Sequence, residues 1–207
     1  MLLREGYTTG MKNEEFYREV FITNTIHIVA RGGFEAATTR AISGGRREVN
    51  ANKLNEAHIY RVFGTKENLF AETFSMLDDE MVFTIKAALG AFDMRGDPRA
   101  ECEIMFTKLW RFLLQNEEKC RYYTRYYHSV YIKDEIYKKH RTKYGPIIDV
   151  LSPFFLDEAD VWSLFYHVIS IMLNFATRVY IGDLEDSEEN RTHIFNVAYC
   201  SIVPYLK

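Results

Sequence analysis

The sequence predicts an all-α protein of about nine helices, on three observations. Apolar residues recur at three- and four-residue intervals along most of the 207 positions, the spacing of a single helix face. Helix starts and stops punctuate the chain at Gly32-Gly33, Gly64-Thr65, Asp97-Pro98 and Ser152-Pro153. Only four prolines occur and there is no long Gly or Ser tract, which argues against a loop-rich β architecture. The balance of 47% hydrophobic to 27% charged residues suits a soluble chain that buries a real core.

Taken in order, residues 1–12 read as a loose arm. A first helix over about 13–31 carries Tyr17, Phe21, Thr25, Ile28 and Val29 on one face, and Gly32-Gly33 ends it. Thr38 can cap a second helix. The pair Gly44-Gly45 costs about 1 kcal/mol per glycine relative to alanine inside a helix, so the second helix should break or kink there. A short third helix at about 55–62 has Ile59, Val62 and Phe63 as its apolar side. Gly64 stops it and Thr65 caps a fourth, running from Lys66 to about residue 89 along Leu69, Phe70, Phe74, Leu77, Met81 and Ile85.

Asp97-Pro98 is an N-cap followed by proline at the first helical position, and the helix it opens carries Ile104, Phe106, Leu109, Trp110 and Leu113. Glu117-Glu118 suits the N-terminus of the next. Another precedes Ser152-Pro153, Asp157 opens a long helix reaching Ile181, and Ser187 begins the last, with Ile194, Val197, Ala198 and Ile202 on its face.

The third helix holds the most informative chemistry. Its first turn, Asn55, Glu56, Ala57 and His58, presents hydrogen-bonding groups, with Tyr60, Arg61 and Lys66 close behind to grip phosphates. A short helix whose first turn enters the major groove has this layout. Ile59-Tyr60-Arg61-Val62-Phe63 and Gly64-Thr65-Lys66-Glu67-Asn68-Leu69-Phe70 resemble, nearly position for position, the signature of the tetracycline-repressor (TetR) family of bacterial transcriptional regulators. Gly33-Phe34-Glu35-Ala36-Ala37-Thr38 is similar to that family's bend between its first two helices, and Ile42-Ser43 to its helix-two core pair. The detailed resemblance covers roughly residues 13–75.

One departure stands out. About six extra residues lie between Ile42-Ser43 and Ala51-Asn52-Lys53-Leu54, an insertion at about 44–50, and Lys53 occupies the place of the family's usual turn glycine. The resemblance implies a helix-turn-helix DNA-binding domain over 1–75 and an effector-binding and dimerisation domain over 76–207. It also implies a homodimer through the last two helices, on a near-palindromic double-stranded DNA operator. The expected DNA contacts are Thr38, Thr39 and Arg40 from helix two, and Asn55, Glu56, Ala57, His58, Tyr60, Arg61 and Lys66 from helix three and beyond.

Charge agrees with that partner. Residues 38–66 hold six basic against two acidic side chains, +4, whereas the whole chain nets −3 and residues 67–207 net −6. A basic segment on an acidic body is an electrostatic footprint for phosphate binding. A solvated charged loop would carry the same charges, three of which lie in or near the insertion.

Residues 121–131 read Arg-Tyr-Tyr-Thr-Arg-Tyr-Tyr-His-Ser-Val-Tyr. Tyr122/Tyr126 and Tyr123/Tyr127 are i,i+4 pairs. Together with Phe106, Trp110, Trp162 and Tyr166 they are candidates to line an effector cavity; ordinary core and subunit packing is the alternative. In the long helix, Ser163, His167, Ser170, Asn174 and Thr177 form a polar stripe. It faces solvent, a dimer seam or the cavity, and His167 and Asn174 are assigned to the cavity or seam.

Catalysis finds no support, since no nucleophile, metal-ligand or phosphate-loop motif is present. None of the six histidines has an acidic residue three positions before it, so no metal or cofactor is expected. Cys102, Cys120 and Cys200 are odd in number and far apart, which reads as free thiols in a reducing compartment. The N-terminus lacks a signal-peptide core and the most apolar window, 161–181, is interrupted by His167, Asn174 and Arg178. Cytoplasmic residence and no membrane span are therefore expected. The reading is of a ligand-responsive transcriptional regulator, a repressor released by a small-molecule effector. The rival is a helical small-molecule-binding protein whose insertion has cost it DNA binding.

Overall fold

The computed structural model describes residues 3–45, 54–90 and 96–207, with side chains from residue 14 onward. Among these residues the chain is all-α, with nine α-helices and no strand: α1 Leu3–Ala36, α2 Thr39–Gly44, α3 Glu56–Phe63, α4 Lys66–Leu89, α5 Pro98–Gln115, α6 Glu117–Tyr127, α7 Asp134–Leu151, α8 Val161–Tyr180 and α9 Glu188–Ile202. Two 3₁₀ turns, Ser152–Phe154 and Val203–Tyr205, follow α7 and α9. No described helix is long and apolar enough to cross a membrane.

The helices divide into two compact units. The first comprises Met1–Leu77 and Arg121–Ile136, the second Asp78–Cys120 and Tyr137–Lys207. A single cut at 75/76 would give the whole of α6 to the C-terminal part; by packing, residues 121–136 belong with the N-terminal helices. Helix α4 thus contributes its first half to one unit and its second half to the other.

In the first unit, α1, α2 and α3 pack on one another. Phe21, Ile42, Ile59, Leu69, Phe70, Tyr122 and Tyr126 are wholly buried in its core. Burial of each such side chain contributes about 1.5–3 kcal/mol relative to exposure. Phe34 organises one end, its ring lying 4.9–6.1 Å from those of Phe70, Tyr122, Tyr126 and Tyr131. The kink that delivers Phe34 is at Gly33, whose φ of 79° interrupts α1 and suits glycine alone among common residues. The expected loose arm at 1–12 is instead helical from Leu3. Extension of an existing helix adds one bond per residue fixed and needs no apolar periodicity to announce it.

In the second unit, α5, α8 and α9 pack together around Phe106, Trp110, Leu113, Ile147, Met172, Ala176 and Ile194. The long helix starts at Val161, not at the expected Asp157. Phe155 is extended, held by an antiparallel bridge to Leu206 and by the Leu156 N–H donating to the Tyr205 carbonyl at 2.8 Å. Asp160 supplies the cap, accepting from the Ser163 N–H at 3.1 Å and its hydroxyl at 2.6 Å. Those two bonds hold the Asp160 carboxyl below its ordinary value.

Candidate nucleic-acid interface and effector site

Helix α2 is a six-residue helix fixed at both ends. Thr38 Oγ1 accepts from the Ala41 N–H at 3.1 Å. At the far end Asn24 of α1 donates from Nδ2 to the Ile42 carbonyl at 2.9 Å. Gly45 closes it with a φ of 34°, and a Cβ there would lie 2.4 Å from Asn24 Nδ2. The helix breaks where Gly44-Gly45 predicts. The rest of the insertion, with Arg46 and Arg47, and Lys53 beyond it lie outside the described residues.

Helix α3 is tied down from below and exposed above. Ile59 and Phe63 are buried, whereas Asn55, Glu56, Ala57 and Arg61 are exposed and Tyr60 is 53% exposed. Asn55 and His58 form a reciprocal cap: the His58 N–H donates to Asn55 Oδ1 at 3.2 Å, and the Asn55 N–H donates to His58 Nδ1 at 3.3 Å. With Nδ1 accepting, a neutral His58 ring carries its proton on Nε2. The ring also stacks on Tyr17 of α1 at 4.6 Å, and the Arg61 guanidinium lies over that same Tyr17 ring at 5.6 Å. His58 is thus oriented by two neighbours, a feature that spacing alone does not reveal.

The Thr39 hydroxyl donates to the Glu56 carboxylate, linking α2 to the first turn of α3. Thr38 and Arg40 are exposed, and Lys66 is half-buried with Nζ 5.5 Å from the Phe70 ring. Gly64 ends α3, and Thr65 Oγ1 caps α4 by accepting from the Asn68 N–H at 3.0 Å. The ten expected DNA-contact residues therefore all lie in the first unit, on α2, on α3 or at their edges. Beneath them, the Arg18–Glu72 ion pair joins α1 to α4.

The expected effector residues are divided between the two units. Tyr122, Tyr123, Tyr126 and Tyr127 sit in the core of the first unit or against it, whereas Phe106, Trp110, Trp162 and Tyr166 sit in the second. Two of these tyrosine hydroxyls bond to backbone: Tyr122 donates to the Phe70 carbonyl at 2.8 Å and Tyr126 to the Tyr131 carbonyl at 3.0 Å. Burial pushes the Tyr126 phenol up to about 12 and holds the Tyr122 phenol well above its ordinary value. Nearby, Arg125 donates to the Val29 carbonyl at 2.6 Å. Helix α6 ends at Tyr127, so the last four residues of the 121–131 stretch leave it, with the Ser129 hydroxyl donating to the Tyr126 carbonyl at 2.8 Å in the turn that follows.

In the second unit Trp110 Nε1 donates to Asp186 at 3.0 Å, and Arg141 lies 4.4 Å over Trp162. His167 and Asn174 are exposed, as is the whole polar stripe of α8. Within the chain that stripe faces solvent.

The second unit contains a pocket none of these residues lines. About 850 Å³ in size including its open mouth, it is walled by fourteen residues from α4, α5, α7, α8, the 154–155 segment and the C-terminal end. All fourteen are apolar apart from the Cys102 thiol, which burial pushes up to about 11. In sequence these residues read as ordinary core, because Val161, Leu164, Phe165 and Val168 follow the i, i+3, i+4, i+7 pattern of any inward helix face.

The arrangement of these nine helices is the fold of TetR-family transcription regulators. A TetR-family regulator from Marinobacter aquaeolei VT8 superposes with a TM-score of 0.73 at 22% identity, covering 92% of this chain and 97% of that one. A transcriptional regulator from Rhodococcus sp. RHA1 gives 0.65 at 13%, covering 90% and 96%. A TetR-family regulator from Haemophilus influenzae RD gives 0.64 at 15%, covering 94% and 99%. At such identities the likeness is one of fold. No protein-family model matches the chain, and neither does any curated protein.

Proposed function

We propose that this chain is a sequence-specific DNA-binding transcriptional regulator of the TetR family, a cytoplasmic repressor released by a small-molecule effector. The observation that carries the reading is the pair α2–α3: a short helix anchored by Ile59 and Phe63, with its first turn exposed and oriented through Asn55–His58 and Thr39–Glu56. The fold shared with TetR-family regulators supports it.

Asn55, Glu56, Ala57 and His58 meet base edges in the major groove; Thr38, Thr39, Arg40, Tyr60, Arg61 and Lys66 meet phosphates and set the register. The active species is a homodimer paired through α8 and α9, whose exposed stripe from Ser163 to Thr177 forms part of the seam. It reads two half-sites about one DNA turn apart, roughly 35 Å. An effector bound in the second unit shifts operator affinity by a coupling of about 1–3 kcal/mol.

Selection of bound sequences from a pool of random duplex DNA tests the reading directly. A near-palindromic motif with half-sites one turn apart is the expected result. A pool that stays random through successive rounds would leave a helical ligand-binding protein in its place.

A further inference from the structure

The pocket of the second unit is a different kind of site from the aromatic, hydroxyl-lined cavity that the tyrosines suggest. Its wall draws on Leu89 at the end of α4, Cys102 on α5, Leu151 on α7, Phe155, Leu164 on α8 and Ile202 on α9. Six separate segments converge, so the space is concave on all sides but its mouth. No wall side chain bears a charge, a hydroxyl, an amide or an imidazole. A charged or strongly hydrogen-bonding group taken inside would lose its hydration with nothing to replace it, a cost of several-fold to many orders in affinity.

The competing occupant is a second copy of the chain. The wall residues of α8, namely Val161, Leu164, Phe165 and Val168, lie on one face. The exposed stripe Ser163, His167, Ser170, Asn174 and Thr177 lies on the other side of the same helix. A partner helix laid along that stripe would meet the side of α8 turned away from those wall residues.

We propose that this pocket is the effector site and that it takes a lipophile with an uncharged hydrocarbon body, any polar end of which stays in the mouth. The proposal rests on the reading of the chain as a ligand-responsive regulator. Recognition is then by length and volume of hydrocarbon, with the head group contributing little. Cys102, in the wall, reports occupancy.

The test uses the full-length protein and the neutral fluorophore N-phenyl-1-naphthylamine, displaced by the n-alkanols from hexanol to dodecanol and by decanoate. Saturable probe binding is expected, with displacement improving about fourfold for each added methylene until the pocket is full. Decanoate should compete within about tenfold of the alkanol carrying the same hydrocarbon chain. Leu164→Trp and Val168→Trp, two separate ways of filling the space, should each abolish probe binding while circular dichroism shows the helices intact. In a Cys200→Ser background decanol should slow alkylation of Cys102 by N-ethylmaleimide.

The proposal is overturned if the probe fails to bind, if both filled variants still bind it, or if affinity follows head-group charge and ignores chain length. Binding that disappears as the protein is concentrated into its self-association range would assign the pocket to a second copy, and also overturn it. Operator affinity is measured in parallel on the selected DNA. Decanol that fills the pocket without changing operator affinity would uphold a lipophile-binding pocket and defeat its role as the effector site. Absence of any selected DNA would defeat the regulator reading and leave the binding result standing.

Discussion

His140 Nδ1 lies 2.8 Å from Asp78 Oδ1, and each of these side chains is 1% exposed. An ionised carboxylate can only accept, so the imidazole N–H donates to Asp78. On the other side of the ring, Nε2 lies 2.9 Å from the Tyr166 hydroxyl, while Lys143 Nζ stands 3.7 Å from Asp78 Oδ2. The second half of α4, α7 and α8 are thereby joined by one buried polar chain in the second unit.

Asp78→Ala should therefore destabilise the protein by about 1–3 kcal/mol, because it removes the acceptor of a buried imidazole N–H. Asp78→Asn, which keeps an oxygen acceptor in place, should cost clearly less. Urea unfolding followed by circular dichroism measures both; equal midpoints for wild type and Asp78→Ala would mean that the pair holds nothing together.

Alkaline pH should weaken the fold through the buried phenols. Tyr126 is raised from 10.0 to about 12, so between those values the unfolded chain has lost a proton that the folded chain keeps. Stability from this group is complete below pH 10 and falls as pH rises toward 12. The thiols of Cys102 and Cys120, raised from 9.0 to about 11, add the same sign of slope over pH 9–11. Tyr126→Phe should lose about 1 kcal/mol at neutral pH with its hydrogen bond, yet decline less steeply above pH 10. A variant with an unchanged slope in thermal melts across pH 9–12 would contradict the assignment.

On DNA, Lys66→Ala and Tyr60→Ala should weaken all sequences alike, and the lysine change should reduce the salt slope by about one unit or less. His58→Ala should redistribute preference at particular base pairs by about 1–3 kcal/mol each. Because His58 also supports the Asn55 cap and stacks on Tyr17, Tyr17→Leu should shift the same base pairs. Competition titrations over an operator library decide this, and a Lys66→Ala protein with altered preference and intact salt dependence would reverse the roles.

Phe175 lies half-buried on α8 beside His193 of α9 at 6.4 Å and the Arg178 guanidinium at 5.6 Å. Phe175→Glu places a carboxylate in the proposed seam. Sedimentation should show a dimer in the wild type and a monomer in the variant at micromolar concentration. A wild type that sediments as a monomer would remove the second half-site.

Much of the helical framework is legible because its termini carry their own chemistry. Thr38, Thr65, Asp97 and Ser187 each cap the helix that their position announces, whereas Asn55, read as part of the first turn of α3, is its cap. Asp157 misleads because capping depends on where the carboxylate meets free N–H groups, and the Phe155–Leu206 bridge keeps that stretch out of the helix. The tyrosines of α6 mislead for another reason: a phenol bonded to a backbone carbonyl and one held ready for a ligand have the same sequence. Asp78 left a trace that could have been read, since it falls on the Phe74–Met81–Ile85 line of an otherwise apolar stripe. An acid in that register needs a buried partner. The pocket left none, because an apolar side chain facing empty space and one facing another side chain follow the same periodicity.

The first unit is discontinuous in sequence: its helices through Leu77 are completed by Arg121–Ile136, which brings Tyr122, Tyr126 and Tyr131 to Phe34 and Phe70. During synthesis, then, the segment bearing the proposed DNA-contact residues emerges well before the residues that close its core. At about 5–20 residues per second the wait is roughly 3–12 s. Through that interval Phe34 and Phe70 have no tyrosines to pack on, and they are the surfaces a nascent-chain chaperone would hold. A fragment ending near residue 77 would be arrested permanently at this stage, so isolation of the helix-turn-helix calls for a chain that reaches Ile136.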